Sequence, residues 1–457
     1  MNLPLSPGAA KALALLQAAG YEAWIVGGCV RDALLGLPPK DYDLTTSALP
    51  EETQRVFAAY PRIETGLRHG TVTVLLEGEP LEITTYRVDG VYSDARHPDG
   101  VTFTRSLRQD AARRDFTINA MAYAPGQGLQ DFFGGQADLA QGTIRAVGRA
   151  ETRFHEDALR ILRALRFASV LDFTLEGETA RAARACAPLL AAVSAERVSG
   201  ELGKLLCGKA AGRVLRDYPD VLGVVLPEIL PMVGLDHRNP HHCYDVWTHT
   251  TVAVDHVPPE LPLRLAMLLH DIGKPDTFSL GEDGQGHFYG HPRRSVELAE
   301  GILSRLRFPR RTRERVLTLV RYHDAVLEES PQRVRRWLNK LGPEVFFDLL
   351  AIQGGDAAAQ APAYCTRLDH LRRLEALARQ VLDQAPCLTV RDLAVGGEDL
   401  LALGYRGPAI GRALRALLDQ VLSETVSNEK NALLQRLAQM DAENTEKMEP
   451  CSKKKDP

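Results

Sequence analysis

The chain has 457 residues, of which 45% are hydrophobic and 25% are charged. This is the composition of an ordinary globular protein, long enough for about two to four domains with buried cores. The formal net charge of −4 gives no sign of a nucleic-acid partner, although a sum over the whole chain does not exclude a local basic patch.

The lack of a recognisable targeting signal and the spacing of the cysteines bear on several further classes of protein. The first residues lack the basic and apolar segments of a secretion signal, and no apolar run is long enough to span a membrane, so we expect a cytoplasmic protein without a membrane partner. The 7 cysteines are scattered and never form a Cys-x-x-Cys pair, so neither a disulfide scaffold nor a zinc ribbon is indicated.

The first predicted elements lead to a pair of glycines. A helix over 7–19 and a buried strand over 22–26 precede Gly27 and Gly28, which allow the backbone to turn sharply and to offer N–H groups to an anion. Arg31 then begins a short helical run that the next glycine ends. The sequence therefore predicts a phosphate-binding turn between this strand and this helix.

Two carboxylates follow at the start of the next predicted strand. Asp41 and Asp43 are two residues apart, so in an extended segment they point to the same side. They repel each other unless a cation lies between them, and oxygen ligands suit Mg²⁺. An Asp-x-Asp on a solvated strand is a common alternative, but the nearby glycine turn and Arg31 favour a joint site for a metal ion and a phosphate.

Gly-Gly-x-Val-Arg-Asp followed by Asp-Tyr-Asp-Leu resembles the nucleotidyltransferase head of the class II family of tRNA CCA-adding enzymes and bacterial poly(A) polymerases. The resemblance implies an α+β fold, with a small mixed β-sheet head followed by an almost wholly helical remainder. It also implies that Asp41 and Asp43 bind Mg²⁺ and that Gly28 and Arg31 bind the nucleotide. The expected segments are a head over 1–148, a neck over 149–225, an HD domain over 226–345, an RNA-binding body over 346–442 and a disordered tail over 443–457.

The rest of the head is predicted to contain a helix over 50–60 and a hairpin of strands over 70–76 and 80–87. Glu82 in the second of these strands is a candidate third carboxylate for the metal ion, and a solvated strand glutamate is the alternative. The polar residues 88–105 are expected to form a mobile loop. In the family that the chain resembles, a loop at this place is associated with addition of the final A.

The run over 113–122 begins Arg-Arg-Asp and continues into an apolar helix or strand that enters the core. The charged residues could simply cap and solvate that element. The whole run also matches a family motif near the nucleotide sugar and triphosphate, and the match implies that Arg114 contacts the nucleotide. Residues 131–139 match a further family segment, expected to be a turn that supports the hinge between head and neck.

A helix is predicted over 154–170, where Asp157 and Arg160 would lie side by side. A carboxylate and a guanidinium can match the amino group and ring acceptor of cytosine or adenine, whereas uracil and guanine would leave the carboxylate unpaired. An ordinary ion pair on the helix surface is the alternative. The surrounding string resembles the base-recognition motif of the family, which implies that both residues select the base. By the same match, Arg163 and Arg166 belong to the nucleotide-binding surface, with an RNA-facing position as the alternative for Arg166.

A second site is predicted after the helical neck. A Leu-rich helix ends in His270-Asp271, and burying both polar groups would be costly unless they bind something. Imidazole and carboxylate ligands suit a transition metal or Mg²⁺. The pattern resembles the HD phosphohydrolase domain, which implies that His249, His270 and Asp271 bind a second divalent metal. The weaker matches are His291, His323 and Asp324, of which Asp324 is expected to be the closing carboxylate.

Two basic clusters, over 305–315 and 333–336, are either solvated helix faces or contacts to the tRNA backbone. The stretch over 392–408 resembles the C-terminal RNA-binding segment of the family. Two helices, near 409–423 and 428–441, precede the tail.

These features together predict template-independent addition of CCA to the 3′ end of tRNA from CTP and ATP, with release of pyrophosphate. One alternative is a poly(A) polymerase or an A-adding enzyme of the same family. The basic signature that such a polymerase carries after its metal motif is not evident, since residues 64–70 stand there instead. The other alternative is a phosphohydrolase that works through the HD domain and has a non-working head, which the intact Asp41, Asp43 and Arg31 oppose.

Overall fold

A computed structural model describes residues 3–39, 41–63, 66–67, 70–90, 100–361, 366–384 and 387–448. The head consists of α1 Pro7–Ala18, β1 Ala23–Val26, α2 Gly28–Leu34, β2 Asp43–Thr46, α3 Pro50–Val56, β3 Arg62–Ile63, β4 Thr71–Leu76, β5 Glu79–Thr85, β6 Arg87–Asp89, β7 Val101–Phe103, α4 Leu107–Ala112, β8 Met121–Ala124, β9 Gly128–Asp131, α5 Gly135–Ala140 and β10 Thr143–Ile144.

The described part of the head contains one mixed sheet in the order β3-β4-β5-β2-β1-β8-β9. Strand β2 runs parallel to β5 and antiparallel to β1. Every residue of β1 is buried, as expected for a central strand covered on both faces. The register places Val26, the last residue of β1, beside Asp43, the first residue of β2, and Asp43 beside Glu82. The glycine turn and two of the predicted carboxylates therefore meet at one edge of the sheet.

The predicted hairpin is confirmed by β4 and β5, whose residues pair in antiparallel register. The predicted loop over 88–105 is shorter than expected because β6 and β7 pair with each other at its two ends. Residues 91–99, which include Tyr92, Arg96 and His97, lie outside the described residues, as do Glu64 and His69.

The neck is helical, as predicted, and contains a short β11 that pairs with β10. Its elements are α6 Ala150–Glu156, α7 Leu159–Leu171, β11 Thr174–Leu175, α8 Gly177–Ala185, α9 Ala195–Leu206, α10 Ala211–Asp217 and α11 Pro219–Leu222. The single helix predicted over 154–170 is wrong, because Asp157 adopts an extended conformation between α6 and α7. Its carboxylate accepts a hydrogen bond from the backbone N–H of Leu159 and so caps the second helix.

The remaining elements are almost all helical. They are α12 Val246–Asp255, α13 Leu261–Leu269, α14 Lys274–Thr277, β12 Ser279–Leu280, β13 Gly286–His287, α15 His291–Arg305, α16 Arg310–Tyr322, α17 Pro331–Leu341, α18 Pro343–Ala358, α19 Thr366–Asp383, α20 Gly397–Ala402, α21 Pro408–Leu422 and α22 Lys430–Met448. None of the helices within the described ranges is both long and apolar enough to cross a membrane.

The described chain contains four clusters of buried hydrophobic residues, of which the two smallest lie in the head. The two largest divide the chain. One runs continuously through head, neck and HD region from Ala9 to Val381, and a smaller one joins residues between Leu393 and Leu437. Helix α22 continues through 443–448, the first residues of the tail that the sequence predicts to be disordered. Residues 449–457 lie outside the described chain. The α+β fold class is confirmed.

Candidate functional site

The turn after β1 has a backbone conformation that requires glycine. Gly27 has a φ of +80°, and a Cβ atom there would lie 3.3 Å from Nη1 of Arg114 and 3.9 Å from Oδ2 of Asp43. Helix α2 begins at Gly28, so the N–H groups of its first turn lack partners within the helix. The turn thus brings unpaired backbone donors, a guanidinium and a carboxylate to one place, which is the arrangement expected for binding a phosphate beside a cation.

The acidic side of this site combines three exposed carboxylates, those of Asp41, Asp43 and Glu82. The pKa of Asp43 is raised, because neighbouring protein partly withdraws it from water and because Glu82 and Asp41 repel its charge, while Arg114 lowers it. A donor set of carboxylate oxygens with solvent access fits a hard divalent cation, which would relieve this repulsion. The register of β2 and β5 places Glu82 beside Asp43, one of the two aspartates predicted to bind the metal ion.

Arg31 is held at the opposite side of the turn. Its guanidinium donates to the carboxylate of the next residue at 2.7 and 2.8 Å and to Oδ1 of Asn119 at 2.8 Å. It also lies over the ring of Phe167 on α7, 5.1 Å from the centroid. Arg166 and Arg163 approach the same ring, at 4.1 and 5.6 Å. We call Arg31, Arg163 and Arg166 the arginine cluster, and it joins the head to the neck.

Buried carboxylates fix the neck members of the arginine cluster. Arg163 donates to Oδ2 of Asp115 at 2.5 and 2.9 Å. Burial alone would raise the pKa of Asp115, but Arg163 and Asn119 outweigh it and hold that pKa at about 2. Arg166 pairs with Glu201 at 3.0 Å and is only 13% exposed. The burial of Arg166 opposes the RNA-facing alternative, and its nucleotide-binding role stays a prediction.

The residues predicted to recognise the base, Asp157 and Arg160, lie at the break between α6 and α7. Oδ2 of Asp157 accepts from Arg197 on α9 at 2.7 Å, and Oδ1 accepts from the N–H of Leu159 at 3.0 Å. Arg160 donates to Glu156 at 2.5 Å, and its own backbone N–H donates to the carbonyl of Asp157 at 3.0 Å. A carboxylate can accept about four hydrogen bonds and a guanidinium can donate five, so both side chains are held in place with capacity left for a base edge.

The predicted second site is a buried group of histidines around one aspartate. His249 lies on α12, His270 and Asp271 at the end of α13, His291 at the start of α15 and His323 at the end of α16. Asp271 is at the centre, with Oδ2 3.2 Å from His270 Nε2 and 3.9 Å from His249 Nε2. Its Oδ1 lies 3.4 Å from His291 Nε2 and 3.7 Å from His323 Nε2.

This site fits a metal ion on two grounds. His270 is fully buried, and its Nδ1 atom is hydrogen-bonded to the carbonyl of Met267 at 2.7 Å, so its Nε2 atom faces Oδ2 of Asp271 at 3.2 Å without making a hydrogen bond. Two buried acceptors this close together are costly unless a ligand binds them. The donor set of imidazoles and a carboxylate is the one that suits a transition metal. The nearest fixed positive charge is Nζ of Lys274, 2.7 Å from Oδ2 of Asp271.

A carboxylate that the sequence did not reveal lies beside two of these histidines. Oδ1 of Asp356 on α18 is 3.0 Å from His249 Nε2 and 3.8 Å from His270 Nε2. Burial would raise the pKa of Asp356, but the contact with His249 outweighs it, and the pKa is lowered. Asp324, the carboxylate expected to close the site, lines the adjoining cavity without joining either group of convergent ligand atoms in the described chain. In the sequence, Asp356 could have been noticed as a charged residue within the Gly- and Ala-rich segment of α18.

A cavity of about 340 Å³ opens beside these ligands. Its lining includes Asp271, His291 and His323 together with the cations Lys274 and Arg367. A phosphorylated small molecule would fit a space of this size and charge.

The two basic clusters are largely tied into ion pairs within the protein. Arg315 pairs with Asp348 at 2.6 Å, and Arg335 pairs with Glu424. Further pairs join Arg305 to Glu228, Arg307 to Glu196, Arg310 to Glu314 and Arg333 to Glu328. These contacts favour ordinary helix faces over a tRNA-binding surface.

Comparison with protein families gives matches along most of the chain. The poly A polymerase head domain matches residues 23–145, the RNA and SrmB-binding site of polymerase A matches 172–230, the HD domain matches 241–345 and tRNA nucleotidyltransferase domain 2 matches 294–437. The fold and these matches therefore define a protein that carries a poly A polymerase head domain followed by helical domains.

Curated relatives and solved structures show which members of this class of protein the chain is similar to. The CCA-adding enzyme of Lactiplantibacillus plantarum is 52% identical over 194 residues, which are 42% of this chain and 47% of that protein. That of Geobacillus thermodenitrificans is 52% identical over 197 residues, 43% of this chain and 48% of that protein. The chain thus spans about half the length of the curated relatives it matches.

The structure of the Bacillus stearothermophilus CCA-adding enzyme in complex with CTP is similar over 97% of this chain and 100% of that chain, with 30% identity and a TM-score of 0.72. The Thermotoga maritima CCA-adding enzyme complexed with tRNA, 21% identical with a TM-score of 0.57, covers 94% of each chain and shares the fold. The chain belongs to the CCA-adding enzyme family.

Proposed function

We propose that this protein adds CCA to the 3′ end of tRNA, using CTP and ATP without a nucleic-acid template and releasing pyrophosphate. The observation that carries the proposal is the meeting of the Gly27 turn, Arg114 and the carboxylates Asp41 and Asp43 at one sheet edge. Family membership supports the same activity, and tRNA as substrate implies a cytoplasmic location.

In this proposal Asp41 and Asp43 hold Mg²⁺, with Glu82 beside them. The ion, when bound, lowers the pKa of the tRNA 3′-hydroxyl and neutralises the nucleotide phosphates. The turn at Gly28 and the side chain of Arg114 hold the triphosphate. The 3′-oxygen forms a bond to the α-phosphorus, the bond from that phosphorus to the bridging oxygen breaks, pyrophosphate leaves, and the hydroxyl proton passes to solvent.

The arginine cluster is proposed to position the nucleotide at the junction of head and neck, where Arg31, Arg163 and Arg166 surround one ring and each is held by a carboxylate. Asp157 and Arg160 select the base. Uracil and guanine present a carbonyl where cytosine and adenine present an amino group, so a wrong base would leave the carboxylate of Asp157 without a partner, which costs about 1–3 kcal/mol or more.

The test uses purified protein and tRNA that lacks its 3′ CCA, with products separated at single-nucleotide resolution. We expect two added residues with CTP alone, three with CTP and ATP together, and none with UTP or GTP. Asp41→Ala should abolish addition, whereas Glu51→Gln, which changes an exposed acid on α3, should leave it intact.

Other products would assign a different activity. Long A tails would identify a poly(A) polymerase, and addition of a single A only to tRNA ending in CC would identify an A-adding enzyme. Addition that survives Asp41→Ala would contradict the proposed metal site.

A second function is proposed for the buried His-Asp site, namely metal-dependent hydrolysis of a phosphoester. The unpartnered Nε2 of buried His270 carries this proposal. His249, His270, Asp271 and Asp356 would hold a divalent cation that activates water. Release of nitrophenolate from a nitrophenyl phosphate mono- or diester in the presence of Mn²⁺ or Ni²⁺ tests it, and His270→Ala should remove that release. Hydrolysis that persists in His270→Ala, or none in the parent protein with either metal, would oppose the proposal.

A further inference from the structure

Asp110 on α4 is a fully buried carboxylate of the head that contacts two guanidinium groups, those of Arg113 and Arg114. We propose that Asp110 is a positioning residue, which orients the guanidinium of Arg114 toward the triphosphate of the incoming nucleotide. This proposal deepens the function proposed above and rests on the contact of Arg114 with the nucleotide.

The carboxylate of Asp110 uses its two oxygens differently. Oδ1 accepts hydrogen bonds from Nε and Nη2 of Arg113, at 3.0 and 2.8 Å, and from the backbone N–H of Arg87 at 3.3 Å. Oδ2 accepts from Oγ1 of Thr45 at 3.3 Å and lies 3.5 Å from Nη2 of Arg114. A buried charge needs a partner, and the double contact from Arg113 already supplies one. The second arginine is therefore more than the burial of this carboxylate requires.

The contact with Asp110 fixes one end of the Arg114 guanidinium. A guanidinium is planar with a fixed fork of donors, so holding Nη2 sets the direction of Nη1. Nη1 is the atom that a Cβ at Gly27 would meet at 3.3 Å, and the side chain of Arg114 is 19% exposed. One end of the guanidinium is thus held from behind, while the other faces the turn where the triphosphate is proposed to bind.

A second carboxylate competes for the same guanidinium. Oδ2 of Asp43 lies 3.9 Å from the Cβ position at Gly27, on the same side as Nη1 of Arg114. Burial raises the pKa of Asp43 most, and the charge of Arg114 opposes that rise. Without Asp110, the attraction to Asp43 would be unopposed and would draw the guanidinium onto a proposed metal ligand. Asp110 balances this attraction and keeps Arg114 available for phosphate oxygens.

Two strands of the head hold Asp110 itself in place, since Thr45 belongs to β2 and Arg87 begins β6. Burial raises the pKa of Asp110, but the two arginines outweigh it, and the pKa is lowered. The carboxylate is therefore ionised at neutral pH. An ionised group that is fixed by rigid elements is suited to hold a long, flexible side chain in one orientation.

A double-mutant cycle on CTP binding, measured by isothermal titration calorimetry, tests the proposal. Asp110→Asn keeps the shape of the side chain and removes its charge, and CTP should bind about tenfold more weakly because Arg114 is released. Arg114→Gln should cause a loss of at least this size. The double variant should bind CTP as Arg114→Gln does, since Asp110 acts only through Arg114.

Binding of cytidine, which lacks the phosphates, is a readout that a general loosening of the fold would change. Cytidine should bind equally well to the parent and to Asp110→Asn, because the side chains proposed to select the base are untouched. Asp348→Asn is the matched control. It removes another buried carboxylate that pairs with an arginine, on α18, and should leave both affinities unchanged.

The outcomes separate this proposal from the function on which it rests. If Arg114→Gln leaves CTP binding unchanged, the proposed nucleotide contact fails. If Arg114→Gln weakens CTP binding and Asp110→Asn does not, only the positioning role is overturned. A further loss of CTP affinity when Asp110→Asn is added to Arg114→Gln would also overturn it, because Asp110 would then act on the fold as a whole.

Should Asp110→Asn not fold, Thr45→Val provides a milder change, since it keeps the buried charge and removes one hydrogen bond to Oδ2. CTP should then bind about threefold more weakly, and this loss should be absent in the Arg114→Gln background. An unchanged affinity, or an equal loss in both backgrounds, would overturn the proposal.

Discussion

At the residue scale, the proposed selection of the base depends on how firmly the carboxylate of Asp157 is held. Asp157 lies outside any helix, and its position is set by the contact from Arg197 at 2.7 Å and by the N–H of Leu159. The discriminating interaction is a hydrogen bond from the base to a charged group, which contributes about 1.5–3 kcal/mol when its geometry is good. A carboxylate free to rotate would lose part of that discrimination.

Arg197→Gln is therefore expected to weaken selectivity more than catalysis. The ratio of kcat/KM for CTP over UTP should fall by about tenfold or more, while kcat with CTP changes less, because the metal-binding carboxylates are untouched. Single-nucleotide incorporation kinetics measures both values. Arg181→Gln on α8, an exposed arginine, is the control, and an unchanged ratio in Arg197→Gln would show that Asp157 does not need this contact.

The pairing of Asp115 with Arg163 leads to a prediction about stability and pH. The folded protein holds the pKa of Asp115 at about 2, below its ordinary value of 3.8. The ionised pair therefore stabilises the fold above about pH 4, and this stabilisation is lost as the pH falls toward 2. Its size at neutral pH is about 2 kcal/mol.

Asp115→Asn should lower the free energy of unfolding by about 2 kcal/mol at pH 7, and the difference from the parent should shrink between pH 4 and pH 3. Urea unfolding at a series of pH values measures it. Asp283→Asn, which changes an exposed loop aspartate, provides the baseline. A deficit that stays constant down to pH 3 would mean that the ionised pair is not its cause.

The sequence reveals a candidate site residue when its partners are close to it along the chain, and it conceals one whose partners are distant. Asp41, Asp43 and Arg114 belong to short runs whose chemistry is visible from local spacing, and the structure brings all three to one edge. Arg197 and Asp356 act on partners that are distant in sequence, so only the packing of α9 and α18 reveals them.

At the element scale, the turn between β1 and α2 fixes the geometry of the nucleotide site. Gly27 and Gly20 both have φ near +80 to +90°, where any other residue is strained by about 1 kcal/mol or more. They differ in surroundings. A Cβ atom at Gly27 meets Arg114 at 3.3 Å, whereas one at Gly20 meets nothing within 4 Å.

This difference gives a matched pair of variants. Gly20→Ala should lower the free energy of unfolding by about 1 kcal/mol and leave nucleotide kinetics unchanged. Gly27→Ala should cause a similar loss of stability and in addition raise the KM for CTP severalfold, because Arg114 is displaced. Steady-state kinetics with urea unfolding separates the two effects, and equal kinetic parameters in both variants would argue against a nucleotide role for the turn.

Helix boundaries show why local pattern alone mispredicts an element. Residues 154–170 have helical periodicity, but a side-chain cap competes with helix continuation at Asp157 and divides the segment into α6 and α7. Similarly, the hydrogen bonds between β6 and β7 extend ordered structure into a segment whose polar composition is typical of a loop. In both cases the deciding interaction is absent from the periodicity of the sequence.

At the scale of the whole molecule, the cores do not follow the predicted domain boundaries. The boundary of the HD domain at 345 stays a prediction, but Asp356 beyond it contacts His249 at 3.0 Å, so one site draws on both sides. The main core is continuous from head to α19, whereas α20, α21 and part of α22 surround a core of their own. The helices around this second core therefore form a separate C-terminal module, with its core between Leu393 and Leu437.

This module is where a tRNA-binding surface is best placed. Most of the basic side chains in 305–315 and 333–336 are neutralised by acidic partners. Arg412 and Arg415 differ, because both are exposed along α21 and neither has an acidic partner within the described ranges of the chain. Exposed, unneutralised arginines one helical turn apart can each bind a phosphate of the RNA backbone.

The double variant Arg412→Gln/Arg415→Gln should weaken tRNA binding severalfold and reduce the slope of log K against log salt by up to about two, because two phosphate contacts are lost. Binding of CTP should not change, since the nucleotide site belongs to the other core. Filter binding of tRNA over a range of salt concentrations, with CTP affinity measured separately, gives these quantities. The charge-matched control is Arg372→Gln/Arg379→Gln on α19, where acidic neighbours already neutralise both side chains. If the control lowers the slope as much as the test variant does, net charge rather than this helix face determines tRNA affinity.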